Sequence, residues 1–125
     1  AAGIGMGLSA LSAHGLGAEF DDYRKSSLQG ALDSFDHSPL ACLCHGFMGN
    51  LDLFVLDQGG QKNIHQDEYT NLWAYAVSMQ EQHGMANLMQ AKGFQPGLLM
   101  GVSGCAYQLL RCAYPDKVPS LLILQ

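Results

Sequence analysis

Basic side chains are scarce in this sequence. Six lysines and arginines stand against eleven aspartates and glutamates, which gives a net charge of −5. Binding to a nucleic-acid backbone needs clustered basic residues that neutralise the phosphates. The composition therefore argues against a nucleic-acid partner.

Long apolar runs are missing as well. No run approaches the roughly 18 residues that a transmembrane helix needs, so we expect no transmembrane segment. No charged segment leads into an apolar one at the beginning of the chain, which excludes the pattern of a signal peptide.

Cysteine pairs of the zinc-ribbon type are absent. The four cysteines are Cys42, Cys44, Cys105 and Cys112, and none of them forms a ribbon's spaced pairs. On one helix, Cys105 and Cys112 would lie about 10 Å apart along the axis, too far for a disulfide. A reducing compartment is the simpler interpretation, and we expect a cytoplasmic protein.

Strand-like alternation is also lacking, whereas helical periodicity is frequent. The pattern predicts an all-α fold, with an apolar tail over residues 118–124 that docks in extended form. The predicted helices cover residues 3–14, 20 to about 36, about 48–57, 63 to near 84, and about 101–114.

Glycine-led turns precede three apolar helices. Gly3, Gly49 and Gly104 begin similar segments and are 46 and 55 residues apart, with one amphipathic helix between each pair. This period is typical of stacked helical hairpins whose inner helices all begin at one rim. Gly46 and Gly101 open the second and third turns. Close helix packing without any catalytic meaning would explain the glycines equally well.

Cys44 and His45 are the candidate metal ligands, because thiolate and imidazole are the usual ligands of zinc. For both to reach one ion the backbone must turn, and we expect Gly46 to permit that turn. Two residues are only part of a site, since zinc takes three or four protein ligands. Cys42 is either a bystander or a stand-in ligand.

The third turn indicates where a further ligand should be sought. At the positions equivalent to Cys44 and His45 it carries Leu99 and Met100, which are poor ligands. We therefore expect the missing ligand to precede Ala1.

These segments resemble the lanthionine synthetase C-like cyclases. Leu43-Cys44-His45-Gly46 with Gly49-Asn50 is similar to the family's Cys-His-Gly-x-x-Gly-Asn zinc motif. Residues 96–111 resemble the family's last inner helix, and residues 1–5 resemble the end of its Trp-Cys-x-Gly-Ala-Pro-Gly-Ile segment. Residues 115–124 resemble the terminus of class II, bifunctional lanthipeptide synthetases, which makes their C-terminal cyclase domain the nearest match.

The resemblance implies that residues 1–125 are the C-terminal portion of an α/α toroid, with the upstream repeats missing. It implies Zn²⁺ held by Cys44, His45 and an upstream cysteine, and catalytic residues that also lie upstream of Ala1. Ala2 and Cys105 depart from the family pattern, which usually has a proline and an aliphatic residue there.

The implied activity is the addition of peptide cysteine thiols to dehydroalanine or dehydrobutyrine, which forms thioether (lanthionine) rings. The implied partners are a precursor peptide, with its leader and core, and the upstream cyclase and dehydratase regions. By itself the chain is expected to be inactive.

Two alternatives to a cyclase remain open at this stage. One is a non-catalytic protein of the same fold that holds zinc and a thiol such as glutathione. The other is a structural helical-repeat scaffold, in which Cys44 and His45 are packing residues.

Overall fold

The computed structural model describes residues 2–35, 40–58, 66–88 and 95–124, and the regular secondary structure in these ranges is helical. They contain helices α1 Ala2–Ala13, α2 Asp21–Asp33, α3 Phe47–Gln58, α4 Gln66–Leu88 and α5 Val102–Ala113, with a 3₁₀ turn Ala18–Phe20 before α2. No strand occurs in these ranges, which confirms the prediction of an all-α fold.

Helix boundaries follow the sequence pattern closely. Helices α1, α3 and α5 begin and end within one residue of their predicted limits. The predicted end of α2 near residue 36 and the predicted start of α4 at residue 63 lie outside the described residues. Gly84 lies near the end of α4, as predicted, and forms a kink there, with φ 69° and ψ 152°.

Helix α3 is the central helix of the described structure and packs against all four of the others. Every residue from Phe47 to Val55 is buried except Asn50, which is half-buried. A helix that is apolar on all sides is stable only when neighbours cover it on all sides. At its start, the ring of Phe47 packs against Phe35 and Tyr75, with centroids 5.6 to 6.0 Å apart.

A buried ion pair interrupts this apolar helix. Asp52 is 1% exposed and accepts hydrogen bonds from the Nε of Arg111 on α5 and from the hydroxyl of Ser120. Arg111 also donates to the carbonyl of Val118. One carboxylate therefore holds the middle of α3, the end of α5 and the C-terminal tail together.

The expected extended form of the tail is wrong, although the tail does dock. Residues 121–124 form turns, because the Ser120 Oγ accepts the backbone N–H groups of Leu122 and Ile123 at 3.2 and 3.4 Å. Leu122 and Ile123 pack beside the buried cluster around Phe54. A serine that bonds to its own following backbone favours a turn over an extended strand.

Four glycines let the chain approach itself closely at two places. A Cβ at Gly46 or Gly49 would overlap the carbonyl oxygen of the residue six positions earlier, and the same holds for Gly101 and Gly104. None of the four has a positive φ. Gly46 therefore permits the turn that the sequence predicts, and it does so by leaving room for the Leu40 carbonyl.

Asp52→Asn is expected to destabilise the fold by about 3–5 kcal/mol, because it leaves the buried Arg111 guanidinium without its counter-charge. The exposed Asp116 after α5 supplies a matched control, and Asp116→Asn should change stability by less than about 0.5 kcal/mol. Urea unfolding followed by circular dichroism measures both. Equal stability of the two variants would contradict the assigned role of Asp52.

Gly104→Ala is expected to cost about 3 kcal/mol, since the new methyl group meets the Leu98 carbonyl and the Leu43 side chain. The matched control is Gly7→Ala in α1, where a Cβ meets nothing within 4 Å. That change should stabilise the helix by about 0.5–1 kcal/mol. Thermal unfolding of the pair checks the opposite signs, and a loss of stability in both variants would contradict the close-approach argument.

Candidate metal centre

The loop before α3 is a tight turn held by backbone hydrogen bonds. The N–H of Gly46 donates to the carbonyl of Cys42 at 3.1 Å, and the N–H of Phe47 donates to that of Leu40 at 2.9 Å. This closure folds residues 42–46 over the beginning of α3.

A second loop supports this turn from outside. The N–H groups of Leu43 and Cys44 both donate to the carbonyl of Leu99, at 3.0 and 3.2 Å. Equivalent hydrogen bonds close the two loops. The N–H of Val102 donates to the Gln95 carbonyl in one, and the N–H of Phe47 donates to the Leu40 carbonyl in the other. Leu99 and Met100 therefore occupy the positions equivalent to Cys44 and His45, as the sequence indicated.

Three ligand atoms gather at the turn. Candidate ligand atoms of Cys42, Cys44 and His45 all lie within 4.8 Å of one another. The Cys44 Sγ lies 3.9 Å from the Cys42 Sγ and 2.8 Å from the His45 Nδ1. The structure thus brings the two predicted ligands together and adds Cys42 to them.

The chemistry of these donors and the separation of the two sulfurs suit a metal ion. Two sulfurs bound to one tetrahedral zinc ion lie about 3.8 Å apart, given Zn–S bonds of roughly 2.3 Å. The observed sulfur separation of 3.9 Å is close to this value. Thiolates and imidazole are also the donors that zinc selects. These three residues could hold a metal ion.

The cluster lies beside a cavity of about 740 Å³. Cys44 and His45 line this cavity and are exposed, whereas Cys42 is only 2% exposed. The other walls come from α1, α2, the start of α3 and the tail. Their residues are Ala2, Gly3, Met6, Gly30, Ser34, Leu43, Gly46, Gly49, Asn50, Leu122 and Ile123.

The thiols of the chain differ in their surroundings. Partial desolvation by the surrounding turn, and after it the neighbouring Cys42, raises the pKa of the exposed Cys44 thiol above its usual value. At neutral pH this thiol is therefore protonated and must lose its proton to bind a metal. Burial raises the pKa of the Cys105 and Cys112 thiols to about 11. The Cys105 thiol donates to the Ala41 carbonyl at 2.7 Å, which is the arrangement of a packing thiol.

The predicted motif residues divide between the wall of the cavity and its support. Gly46, Gly49 and Asn50 line the cavity, whereas Gly101 and Gly104 lie outside the lining and shape the supporting loop. The interpretation of Cys44 and His45 as packing residues is wrong, because both side chains are exposed.

The sequence does not predict two parts of the site. The sequence leaves open whether Cys42 is a bystander or a stand-in ligand, and its Cys-x-Cys spacing to Cys44 is the available signal. The tail residues Leu122 and Ile123 carried no sequence signal of a place in the cavity wall, because a tertiary ion pair brings them there.

No helix in the described part of the chain is long and apolar enough to cross a membrane.

Comparison with known proteins identifies the family. A family model described as lanthionine synthetase C-like protein matches residues 1–123, which include the Cys-His turn, both glycine-led loops and most of the tail. No curated protein and no solved structure gives a significant match. A family match over nearly the whole chain leads to one conclusion: the chain belongs to the lanthionine synthetase C-like family.

Proposed function

We propose that this chain is part of a zinc-dependent lanthipeptide cyclase, the C-terminal portion of a class II synthetase's cyclase domain. The reaction adds cysteine thiols of a precursor peptide to dehydroalanine or dehydrobutyrine and forms lanthionine rings. The observation that supports it most is the exposed pair Cys44 and His45, side by side on the wall of a large cavity, in a chain that the family match covers.

Cys44 and His45 would hold the zinc ion. His45 would then be a ligand and not a base, because its Nδ1 lies beside the Cys44 sulfur. When bound, zinc would keep the sulfur of a substrate cysteine as a thiolate at neutral pH.

The cavity wall suits a peptide. Gly3, Gly30 and Gly49 line it, and a Cβ at Gly3 would meet nothing within 4 Å, so this position leaves open space. Met6, Leu122 and Ile123 supply apolar surface. The beginning of α3 also lies in this wall, and a helix N-terminus favours the negative charge that develops on the dehydroamino acid during thiol addition.

Completion of the reaction requires a proton donor. The sulfur bonds to the β-carbon, the double-bond electrons move toward the carbonyl as an enolate, and the α-carbon then takes a proton. Among the described residues that line the cavity, none is an aspartate or a glutamate, and His45 is the one histidine. We propose that the proton donor lies upstream in the cyclase, as the family resemblance implies.

The same proposal places the chain in an α/α toroid, with the upstream cyclase and dehydratase regions and the precursor peptide as partners. The four cysteines are free thiols, which supports a reducing, cytoplasmic location.

The first prediction from the proposed function concerns zinc content. Purified under reducing conditions, the protein should carry about one zinc ion per chain, and Cys44→Ala should lose most of it because one ligand is removed. Elemental analysis measures this. The matched control is Cys112→Ala, which removes a thiol outside the cluster and should keep the zinc. Zinc retained in Cys44→Ala would contradict the assignment of Cys44.

The second prediction concerns thiol reactivity. Without metal, Cys44 should react first with iodoacetamide at neutral pH, because the other three thiols are buried or half-buried and those of Cys105 and Cys112 have pKa values of about 11. Zinc should slow the modification of Cys44 and leave that of Cys112 unchanged. Peptide mass spectrometry resolves each site. A Cys44 rate that is insensitive to zinc would count against metal binding at the turn.

The third prediction concerns turnover. A polypeptide of these 125 residues should not cyclise a dehydrated precursor peptide, because no carboxylic acid is among the described residues that line the cavity and its one histidine, His45, would be a metal ligand. Mass spectrometry after alkylation of unreacted cysteines measures ring formation, and helical circular dichroism confirms that the tested chain is folded. Ring formation by this polypeptide would refute the requirement for upstream residues.

A further inference from the structure

We infer that the tail after α5 forms a specificity subsite beside the metal pair, where Leu122 and Ile123 receive an apolar side chain that neighbours the reacting cysteine of the precursor peptide. This inference rests on the proposed function and adds to it a preference for one class of substrate sequence. A zinc ion recognises the substrate sulfur alone, so selection among cysteine peptides must come from other residues of the cavity wall.

The tail borders the same space as the candidate metal ligands. Leu122 and Ile123 line the cavity that Cys44 and His45 also line. A compact cavity of about 740 Å³ is about 11 Å across, a distance that an extended peptide spans in about three residues. A peptide whose sulfur lies at the metal pair therefore brings the nearest neighbours of its cysteine against the tail.

The main chain of the tail is anchored, as a selective subsite requires. The Ser120 hydroxyl donates to the buried carboxylate of Asp52 and accepts the N–H groups of Leu122 and Ile123 at 3.2 and 3.4 Å. The two side chains are half-buried and pack beside the apolar cluster around Phe54. Their remaining surface is thus held in a defined position, and little side-chain freedom is lost when a ligand covers it.

The wall of the cavity favours an apolar occupant over a charged one. Among the described residues of the lining, none is an aspartate, a glutamate, a lysine or an arginine. A charged side chain that entered the cavity would lose water without gaining a counter-charge. An apolar side chain would instead remove its own surface, and that of Met6, Leu122 and Ile123, from water, which is favourable.

Tail packing without a role in binding is the competing explanation, and Leu124 provides the comparison. Leu124 directly follows Ile123, is 91% exposed and is not among the residues of the lining. It offers apolar surface to any peptide but has no place in the cavity wall. A preference that depends on Leu122 and Ile123 but not on Leu124 would therefore arise in the cavity and not from unspecific contact with the tail.

Peptide binding tests the subsite. Short acetylated peptides with a central cysteine, flanked on both sides by leucine or by serine, are titrated calorimetrically into the zinc-loaded protein, together with the same two peptides carrying serine in place of cysteine. Wild type should bind the leucine-flanked cysteine peptide about five- to tenfold more tightly than the serine-flanked one, because a leucine side chain becomes partly buried. The preference should fall below about twofold in the double variant Leu122→Ala with Ile123→Ala. Leu124→Ala should keep it.

The outcomes separate this inference from the proposed function. Suppose that cysteine peptides bind more tightly than their serine counterparts, but that no leucine preference appears or that it survives in the double variant. This result would overturn the subsite and leave the zinc function standing. Equal binding of the cysteine and serine peptides would overturn the zinc function and the inference with it.

A measurement on the wild-type protein decides if the double variant fails to fold. A photoreactive leucine analogue is placed beside the cysteine of the peptide, and the crosslinked residues are located by mass spectrometry. Adducts on Leu122 or Ile123 would support the subsite, and adducts confined to other residues would overturn it. The matched peptide without cysteine should label the tail more weakly, because its binding lacks the bond between sulfur and metal.

Discussion

Main-chain contacts that only glycine permits determine the shape of the site. At Gly46 and Gly49 a carbonyl oxygen occupies the space that a side chain would fill, and the Leu99 carbonyl accepts two N–H groups of the same turn. Because these contacts involve backbone atoms, the turn has little freedom to rearrange. The positions of the Cys44 and His45 side chains, and of Cys42 behind them, follow from this constraint.

The buried ion pair links the stability of the core to the form of the cavity. Asp52 binds Arg111 and Ser120, and Ser120 folds the tail so that Leu122 and Ile123 reach the cavity wall. Loss of the carboxylate would thus release part of the wall as well as the core. A buried charge that contributes little net stability can still specify which of several packings the chain adopts.

Sequence patterns were sufficient for the limits of three helices and for two of the three residues in the candidate metal cluster. Periodic apolar residues located α1, α3 and α5 to within one residue, since burial of one face repeats at helical spacing. The turn of the tail and the contact of Gly46 with the Leu40 carbonyl have no sequence signal, because both depend on contacts with distant or crossing backbone. Cys42 was undecided for the same reason: a spacing of two residues does not reveal whether two sulfurs meet until the turn is known.

The pairing of two loops of the same backbone form has a consequence for how the family can vary. One loop carries Cys44 and His45, and the other carries the exposed Leu99 and Met100 at the matching positions. The second loop shows that this form is stable without metal ligands, since glycines and carbonyls maintain it. The backbone conformation of the loop therefore does not depend on the ligand side chains. Relatives can carry other residues at these two positions while the supporting backbone stays the same.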